Sequence, residues 1–332
     1  MLASLTSATV LGVDGQLVTV EVHISSGLPS YQVVGLPDAA VRESRERVRA
    51  ALLSSELSWP RNRVTINLAP GGVRKTGAGL DLAVAVGIQI ASEEIPAEAL
   101  DKTAVLGELG LDGTVRHVPG LLALVHAVAQ AGCTRVIVPP SDATEAALIP
   151  DIEVLIAHNL GQLHRALKGE TAWPDAPARS DAVETNDELI DLAEVRGLAW
   201  ARRALEVSAA GGHHLLLTGP PGAGKTMLAR RLITILPRLN DREALEVTRV
   251  HSVAGRASGA LLRRPPFRSP HHTASVAAIV GGGSGRPTPG EVTLAHNGYL
   301  FLDELGEFPP RALEALRQPL EERQVWIARQ LH

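Results

Sequence analysis

Lys225 and Thr226 close the run Gly219-Pro220-Pro221-Gly222-Ala223-Gly224, the stretch whose residue types and spacing most directly specify a chemistry. The order fits G-x-x-x-x-G-K-[ST], in which glycines let backbone N–H groups curl around a phosphate where a helix begins. In that pattern Lys225 reaches the β- and γ-phosphates of a nucleotide, and the Thr226 hydroxyl ligates Mg²⁺. A second group follows at Asp303-Glu304. Asp303 suits a metal, held directly or through water, and Glu304 suits a general base polarising an attacking water. Adjacent acids of this kind favour hydrolysis over transfer to a small substrate.

Two strands and a helix must position these groups. Leu215-Leu216-Leu217 reads as a short buried parallel strand entering the glycine loop, and Met227 to Leu236 carries apolar residues at helical spacing. Tyr299-Leu300-Phe301-Leu302 reads as a second buried strand, with the acid pair at its carboxyl end, where open α/β sheets bind their ligands. His271, His272 and His296 lie in the same region and raise a zinc or iron reading. Adjacent histidines project differently, no further carboxylate has ligand spacing and no cysteine joins them. Packing or a DNA contact accounts for them better.

The bulk properties bound what surrounds this site. A chain of 332 residues suggests two domains, and a net charge of −4 gives no global basicity for nucleic acid, so any such contact must be local. The single Cys133 excludes a disulfide framework and a Cys-based zinc site, and suits a reducing cytoplasm. Residues 1–10 lack the basic start and long apolar core of a signal peptide, and no apolar run is long enough to span a membrane. The expectation is cytoplasmic, with no membrane partner.

From the start, residues 1–24 alternate apolar and polar around Asp14-Gly15, which predicts a hairpin turning there. Pro37-Asp38 opens a helix from Ala39 to Leu53, whose mixed charges read as a solvated face rather than a polyanion contact. A strand is expected at Val64–Leu68, an apolar helix from Asp81 to Ile90, and a second hairpin from Ala104 to Val115 turning at Asp112-Gly113. A helix from Leu121 to Ala131 and strands at Arg135–Val138 and Val154–Ala157 complete this half. Between residues 62 and 165, the runs Gly72-Val73-Arg74-Lys75-Thr76-Gly77, Asp81-Leu82-Ala83, Leu106-Gly107-Glu108-Leu109, Gly113-Thr114-Val115-Arg116 and Val136-Ile137-Val138-Pro139 resemble the Lon-protease-type domain, which also closes the recombination protein RadA. That protease uses a serine–lysine dyad. By the resemblance Gly79 stands near the serine's place and Leu124 near the lysine's, and neither can act as nucleophile or base.

Residues 168–188, with Pro174, Pro177 and Ser180, read as a linker, and a helix from Leu198 to Ala210 leads into the glycine loop. Then come Phe267-Arg268-Ser269-Pro270-His271-His272-Thr273-Ala274-Ser275, Gly281-Gly282-Gly283, Pro289-Gly290-Glu291, Leu294-Ala295-His296-Asn297-Gly298 and the acid strand. This succession resembles the magnesium-chelatase group of AAA+ ATPases, and with the Lon-like half it resembles the ComM (also YifB) branch. The organisation implied is α/β throughout: a Lon-like α+β domain without its dyad over 1–167, a linker over 168–188, and an AAA+ parallel-sheet core over 189–332. The resemblance implies ATP and Mg²⁺ as cofactors, a homo-hexamer, and a branch-migration motor on single-stranded or branched DNA serving natural transformation and recombination. It also places residues 191–197 near the adenine, with Leu198 where Gln is usual. Arg256, Arg263, Arg264 and Arg268 form the local patch suited to phosphate contacts, with a solvated arginine-rich loop as the equal alternative. After a helix from Pro310 to Glu322 and a short strand at Val325–Ala328, the sequence holds none of the water-positioning strand, arginine finger or helical lid of AAA+ modules. The expectation is therefore a shortened member with negligible hydrolysis. A nucleotide-binding remnant without motor activity is the alternative, and an ATP-dependent protease is disfavoured by Gly79 and Leu124.

Overall fold

The alternation in residues 1–24 folds into two long antiparallel strands, β1 (Leu2–Leu11) and β2 (Asp14–Ser25). The turn lies two residues earlier than expected, at Gly12 and Val13, because Leu11 pairs directly with Asp14. Gly12 supplies the left-handed backbone there, at φ 64°. Gly15 serves packing instead: a Cβ on it would stand 2.3 Å from the Ala123 carbonyl oxygen. A computed structural model describes residues 1–177, 191–283 and 287–326 of the chain.

The chain divides into two compact units, Met1–Asp181 with Ser252–Ala260, and Ala182–His251 with Leu261–His332. In the first unit β3 (Ser30–Val34), β4 (Arg63–Ala69) and β5 (Thr103–Val105) join β1 and β2. The short strands β6 (Glu108–Leu109) and β7 (Val115–Arg116) form their own hairpin, while β8 (Arg135–Val138) and β9 (Glu153–Ile156) complete the main sheet. Its order is β3-β4-β2-β1-β5-β8-β9, antiparallel within β1-β2-β4 and parallel in the other pairings. The expected hairpin over 104–115 is thus split, since β5 enters the main sheet and the turn at Asp112-Gly113 joins β6 to β7. Asp112 holds that turn by accepting bonds from the Thr114 amide and hydroxyl.

Every residue of the helix Asp81–Ala91 is buried, as its unbroken apolar run requires. It packs with Val20, Val22, Ile66 and Leu68 in one continuous core, each such side chain contributing about 1.5–3 kcal/mol on burial. Trp59 and Trp173 pack against the same core, and Trp59 stacks on Tyr31 at 5.8 Å. Trp173 belongs to the stretch expected to be a linker, of which 178–188 lies outside the described residues.

The second unit differs from expectation in its strands. Residues 213–220 carry no regular secondary structure, and Leu216 is 70% exposed where a buried strand was expected. A strand is held by hydrogen-bonded neighbours, and among the described residues none pairs with this stretch. The acid strand is likewise short: β13 (Tyr299–Leu300) pairs in parallel with β10 (Phe267–Arg268), and β11 (Gly281–Gly282) pairs with β12 (Thr288–Pro289). Gly298 permits the first pairing, since a Cβ there would stand 2.0 Å from the Pro266 carbonyl oxygen. Helices Ala199–Gly211, Lys225–Arg231 and Asp241–Val253 are followed by Pro310–Ala315 and Arg317–Glu322, where one helix was expected. The strand expected over 325–328 falls partly outside the described residues. Two small clusters stand out among the described residues of this unit. Leu192, Val195, Leu205, Leu228 and Leu232 form one, with Tyr299 packed against it; Ile279, Phe308, Ala312 and Leu316 form the other, with Leu300 and Leu302 against it. Successive residues of the acid strand therefore serve opposite clusters, as period-2 alternation requires.

Candidate nucleotide site

The loop from Gly219 to Gly224 turns where its glycines allow. Gly222 and Gly224 take left-handed backbone at φ 77° and 83°, and Gly224 caps the helix that Lys225 opens. The space around the Gly222 α-carbon is open, with no heavy atom within 4 Å of a Cβ placed there. Lys225 Nζ donates to the Gly219 and Pro220 carbonyl oxygens, each at 2.9 Å. The ammonium thus lies along the inside of its own loop. Leu198 begins the preceding helix at φ 51°, with its Cδ1 3.6 Å from a Cβ on Gly224. Leu198, which follows the segment expected near the adenine, therefore lies against the glycine loop.

The acids arrive from the other side. Thr226 Oγ1 donates to Asp303 Oδ2 at 2.9 Å, across 77 residues of sequence. Asp303 Oδ1 accepts the Glu304 amide at 3.0 Å, which sets the backbone of the acid pair. Glu304 sits at φ 52°, unusual for a residue with a side chain. The approach of 213–219 to β13 has its own ties: buried Ser208 donates to the His213 carbonyl at 2.7 Å, and the Tyr299 hydroxyl donates to the Ser208 carbonyl at 3.2 Å. The structure therefore brings Gly219, Pro220, Pro221, Gly222, Ala223, Gly224, Lys225, Thr226, Asp303 and Glu304 to one place. Two hard oxygen donors side by side, the Thr226 hydroxyl and the Asp303 carboxylate, are of the kind that suits Mg²⁺. Among the described residues no group of three or more His, Cys, Asp or Glu side chains is placed to hold a metal.

Two kinds of partnership escaped the sequence. Glu291, far downstream of the arginine patch, grips Arg268 through both carboxylate oxygens at 2.5 and 2.8 Å. Arg263 pairs with Asp241 at 2.7 Å. Two of the four arginines expected to meet phosphate thus have carboxylate partners in this structure. The other is His272, whose Nδ1 lies 3.3 Å from Glu304 Oε2. No spacing rule in the sequence joins positions 272 and 304.

The first unit holds its own buried charge. Arg47 Nε and Nη2 donate to Asp81 at 2.6 and 3.1 Å. Burial pushes the Asp81 carboxyl up to about 6 despite that partner. Lys75 is wholly buried, donates to the Pro70 carbonyl, and has its affinity for a proton lowered by burial. A Cβ at Gly79 would meet Val118 Cγ1 at 2.9 Å, and Leu124 is buried inside the helix Leu121–Gln130.

A glycine loop opening a helix, with its threonine on an acid that follows a strand, has the order of a P-loop core. Comparison with known proteins agrees. The models for magnesium chelatase subunit ChlI match residues 191–332 and 20–142. An uncharacterised protein of Mycobacterium tuberculosis (strain H37Rv) is 50% identical over 97% of this chain and 64% of its own length. The competence protein ComM of Haemophilus influenzae is 42% identical over 99% of this chain and 65% of its own length. Lon protease 2 of Bacillus subtilis is 31% identical over 34% of this chain and 22% of its own length. The chain belongs to the magnesium-chelatase ChlI family of AAA+ proteins, in its ComM branch. It spans just under two thirds of the length of the mycobacterial protein and of ComM. No helix among the described residues is long and apolar enough to cross a membrane.

Proposed function

We propose that this chain binds ATP with Mg²⁺ at residues 219–226 and Asp303, and that Glu304 is the base for hydrolysis. The whole would act as a homo-hexameric, ATP-driven motor on single-stranded or branched DNA in the cytoplasm, serving natural transformation and recombination. The supporting observation is the 2.9 Å bond between Thr226 and Asp303, which unites the two halves of the site. Lys225 would exchange its loop carbonyls for phosphate oxygens, and the backbone N–H groups of 222–226 would face the same anion. Thr226 and Asp303 would hold Mg²⁺, which when bound neutralises charge on the transferring phosphoryl group. Glu304 would take a proton from the attacking water. The DNA, transformation and hexamer parts rest on likeness to ComM, named a competence protein.

Mg·ATP at a hundred times its dissociation constant should raise the unfolding free energy by about 2.7 kcal/mol. Lys225→Ala should remove most of that gain, read as a thermal shift. A shift unchanged by the substitution would sink the site. For the motor, labelled Holliday junctions should be processed in an ATP-dependent and strongly salt-sensitive way. A binder without turnover is the second reading, favoured by the pairing of Glu304 with His272. Turnover abolished by Glu304→Gln supports the first reading; none above the Glu304→Gln background supports the second.

A further inference from the structure

The main sheet of the first unit ends differently at its two edges. β9 closes one edge with Val154, Leu155 and Ile156 buried and a charge, Glu153, at its start. β3 closes the other as Ser30-Tyr31-Gln32-Val33-Val34, alternating between exposed and half-buried. β4 pairs with it on one side, and among the described residues no strand pairs with it on the other. The outward amides and carbonyls of such an edge are a template for a further strand, and natural sheets blunt them with charge, proline or a bulge. β3 uses none of these. Its register with β4 runs unbroken, residues 24–37 hold no Asp, Glu, Lys, Arg or His, and Pro29 and Pro37 lie outside the strand.

The flanks of the strand are apolar as well. Leu28, shortly before it, is 89% exposed, and Leu36, shortly after it, is 56% exposed. Leu36 holds left-handed backbone at φ 55°, rare for a bulky side chain, and the Lys75 amide donates to its carbonyl at 3.2 Å. Tyr31 and Val33 pack half-buried against the core beside Trp59. The core of this unit therefore runs out to the open edge instead of stopping short of it.

We propose that β3 docks a second copy of this chain, the two β3 strands antiparallel about a two-fold axis at Gln32. The strand is its own complement in that arrangement. Residues equally distant from Gln32 face one another, so Tyr31 of each copy meets Val33 of the other, an aromatic beside a β-branched side chain. Gln32 meets its own counterpart, and a side-chain amide both donates and accepts. Leu28 of each copy comes to the end of the strand where Leu36 of the other stands. No charge is buried at the joint, because neither strand brings one. One short strand from each side puts the contact at the low end of interface sizes, so association is weak and concentration-dependent. The same patch serves both copies, so the contact joins chains in pairs and cannot by itself close a ring. It lies in the first unit and does not rest on the nucleotide reading.

The test places cysteines in the full chain, with Cys133→Ser as background. Gln32→Cys puts two thiols on the axis, where facing α-carbons stand about 4.5–5.5 Å apart, within disulfide range. Leu28→Cys is the control, since two such thiols would lie roughly 27 Å apart along the paired strands. Random collision would favour position 28, which is 89% exposed. Under mild oxidation Gln32→Cys should instead form the linked dimer at least about tenfold faster than Leu28→Cys. Charge at the same position gives a second measurement, by sedimentation velocity without nucleotide. Gln32→Lys and Gln32→Glu, each alone, should weaken self-association at least about tenfold, and an equal mixture of the two should recover it to within about threefold of wild type. Lys225→Ala should change neither readout. Equal linking at 28 and 32, no linking at 32, or association indifferent to both charges overturns the proposal. Association that requires nucleotide and disappears in Lys225→Ala also overturns it, by assigning the contact to the second unit.

Discussion

The two units solve opposite problems. The first has a seven-stranded sheet, a helix buried on every side and a large buried core. Yet the positions where the resemblance places a protease dyad hold Gly79 and Leu124, which have no chemistry to offer. The second has small clusters and two-residue strands, and its strand-like Leu215-Leu216 is open to solvent. Its reactive groups nevertheless meet within hydrogen-bond distance. A fold can outlast its chemistry when packing holds it. A site can be held by a few polar ties when packing is thin.

Removing a buried charge partner should break the first unit hardest. Arg47→Ala strands the Asp81 carboxyl and should cost about 3–5 kcal/mol in urea unfolding, with Mg·ATP affinity unchanged. A loss below 1 kcal/mol would mean the pair contributes little to the first unit. Reinstalling the missing nucleophile should also hurt. Gly79→Ser pushes its Cβ into Val118, whose branched side chain has little room to yield, and should cost about 1–3 kcal/mol. The unsubstituted chain should leave casein uncut with ATP present; cleavage that persists through purification would overturn the view that this unit lacks peptidase chemistry.

Acid separates the units more gently. The Asp81 carboxyl titrates near 6 in the fold and near its ordinary value of about 3.9 unfolded. Between those values the folded chain binds the extra proton, so this group's contribution to stability rises as pH falls from 7 toward 4. Charges near it are Arg47, which opposes the shift, and Glu108, which adds to it. Asp81→Asn should flatten that part of the profile, by an amount of order 1 kcal/mol. An unchanged difference between pH 7 and pH 4.5 would reject the assignment. The smallest effect belongs to the second unit: Leu216→Ala, at 70% exposure, should change stability by less than about 0.5 kcal/mol. A loss above 2 kcal/mol would show that Leu216 is buried in solution.

What the sequence disclosed follows from how local each signal is. The helix Asp81–Ala91 and the strand β4 are written in runs of adjacent residues, and the fold follows them within a residue or two. The glycine loop and the acid pair are also local, and each group occupies the expected end of its element. The hairpin turn slipped from Asp14-Gly15 to Gly12-Val13 because two glycines competed, and helix packing against Gly15 decided between them. Leu215-Leu216-Leu217 has strand composition, but a strand also needs neighbours that composition does not supply. Arg268 with Glu291 and His272 with Glu304 are contacts across 23 and 32 positions, set by tertiary packing alone.

The tryptophans follow the same division, and this gives each unit its own colour. Trp59 and Trp173 pack against the large core of the first unit. Trp200 and Trp326, in the second, are 90% and 71% exposed. Indole emission moves to longer wavelength as its surroundings become wetter, so the first pair should report unfolding as a red shift. The second pair already emits from water and should hardly move. The short-wavelength edge of one emission spectrum therefore follows the sheet unit selectively in the intact chain. With excitation at the indole band, a ligand-induced change at the long-wavelength edge would belong to the second unit.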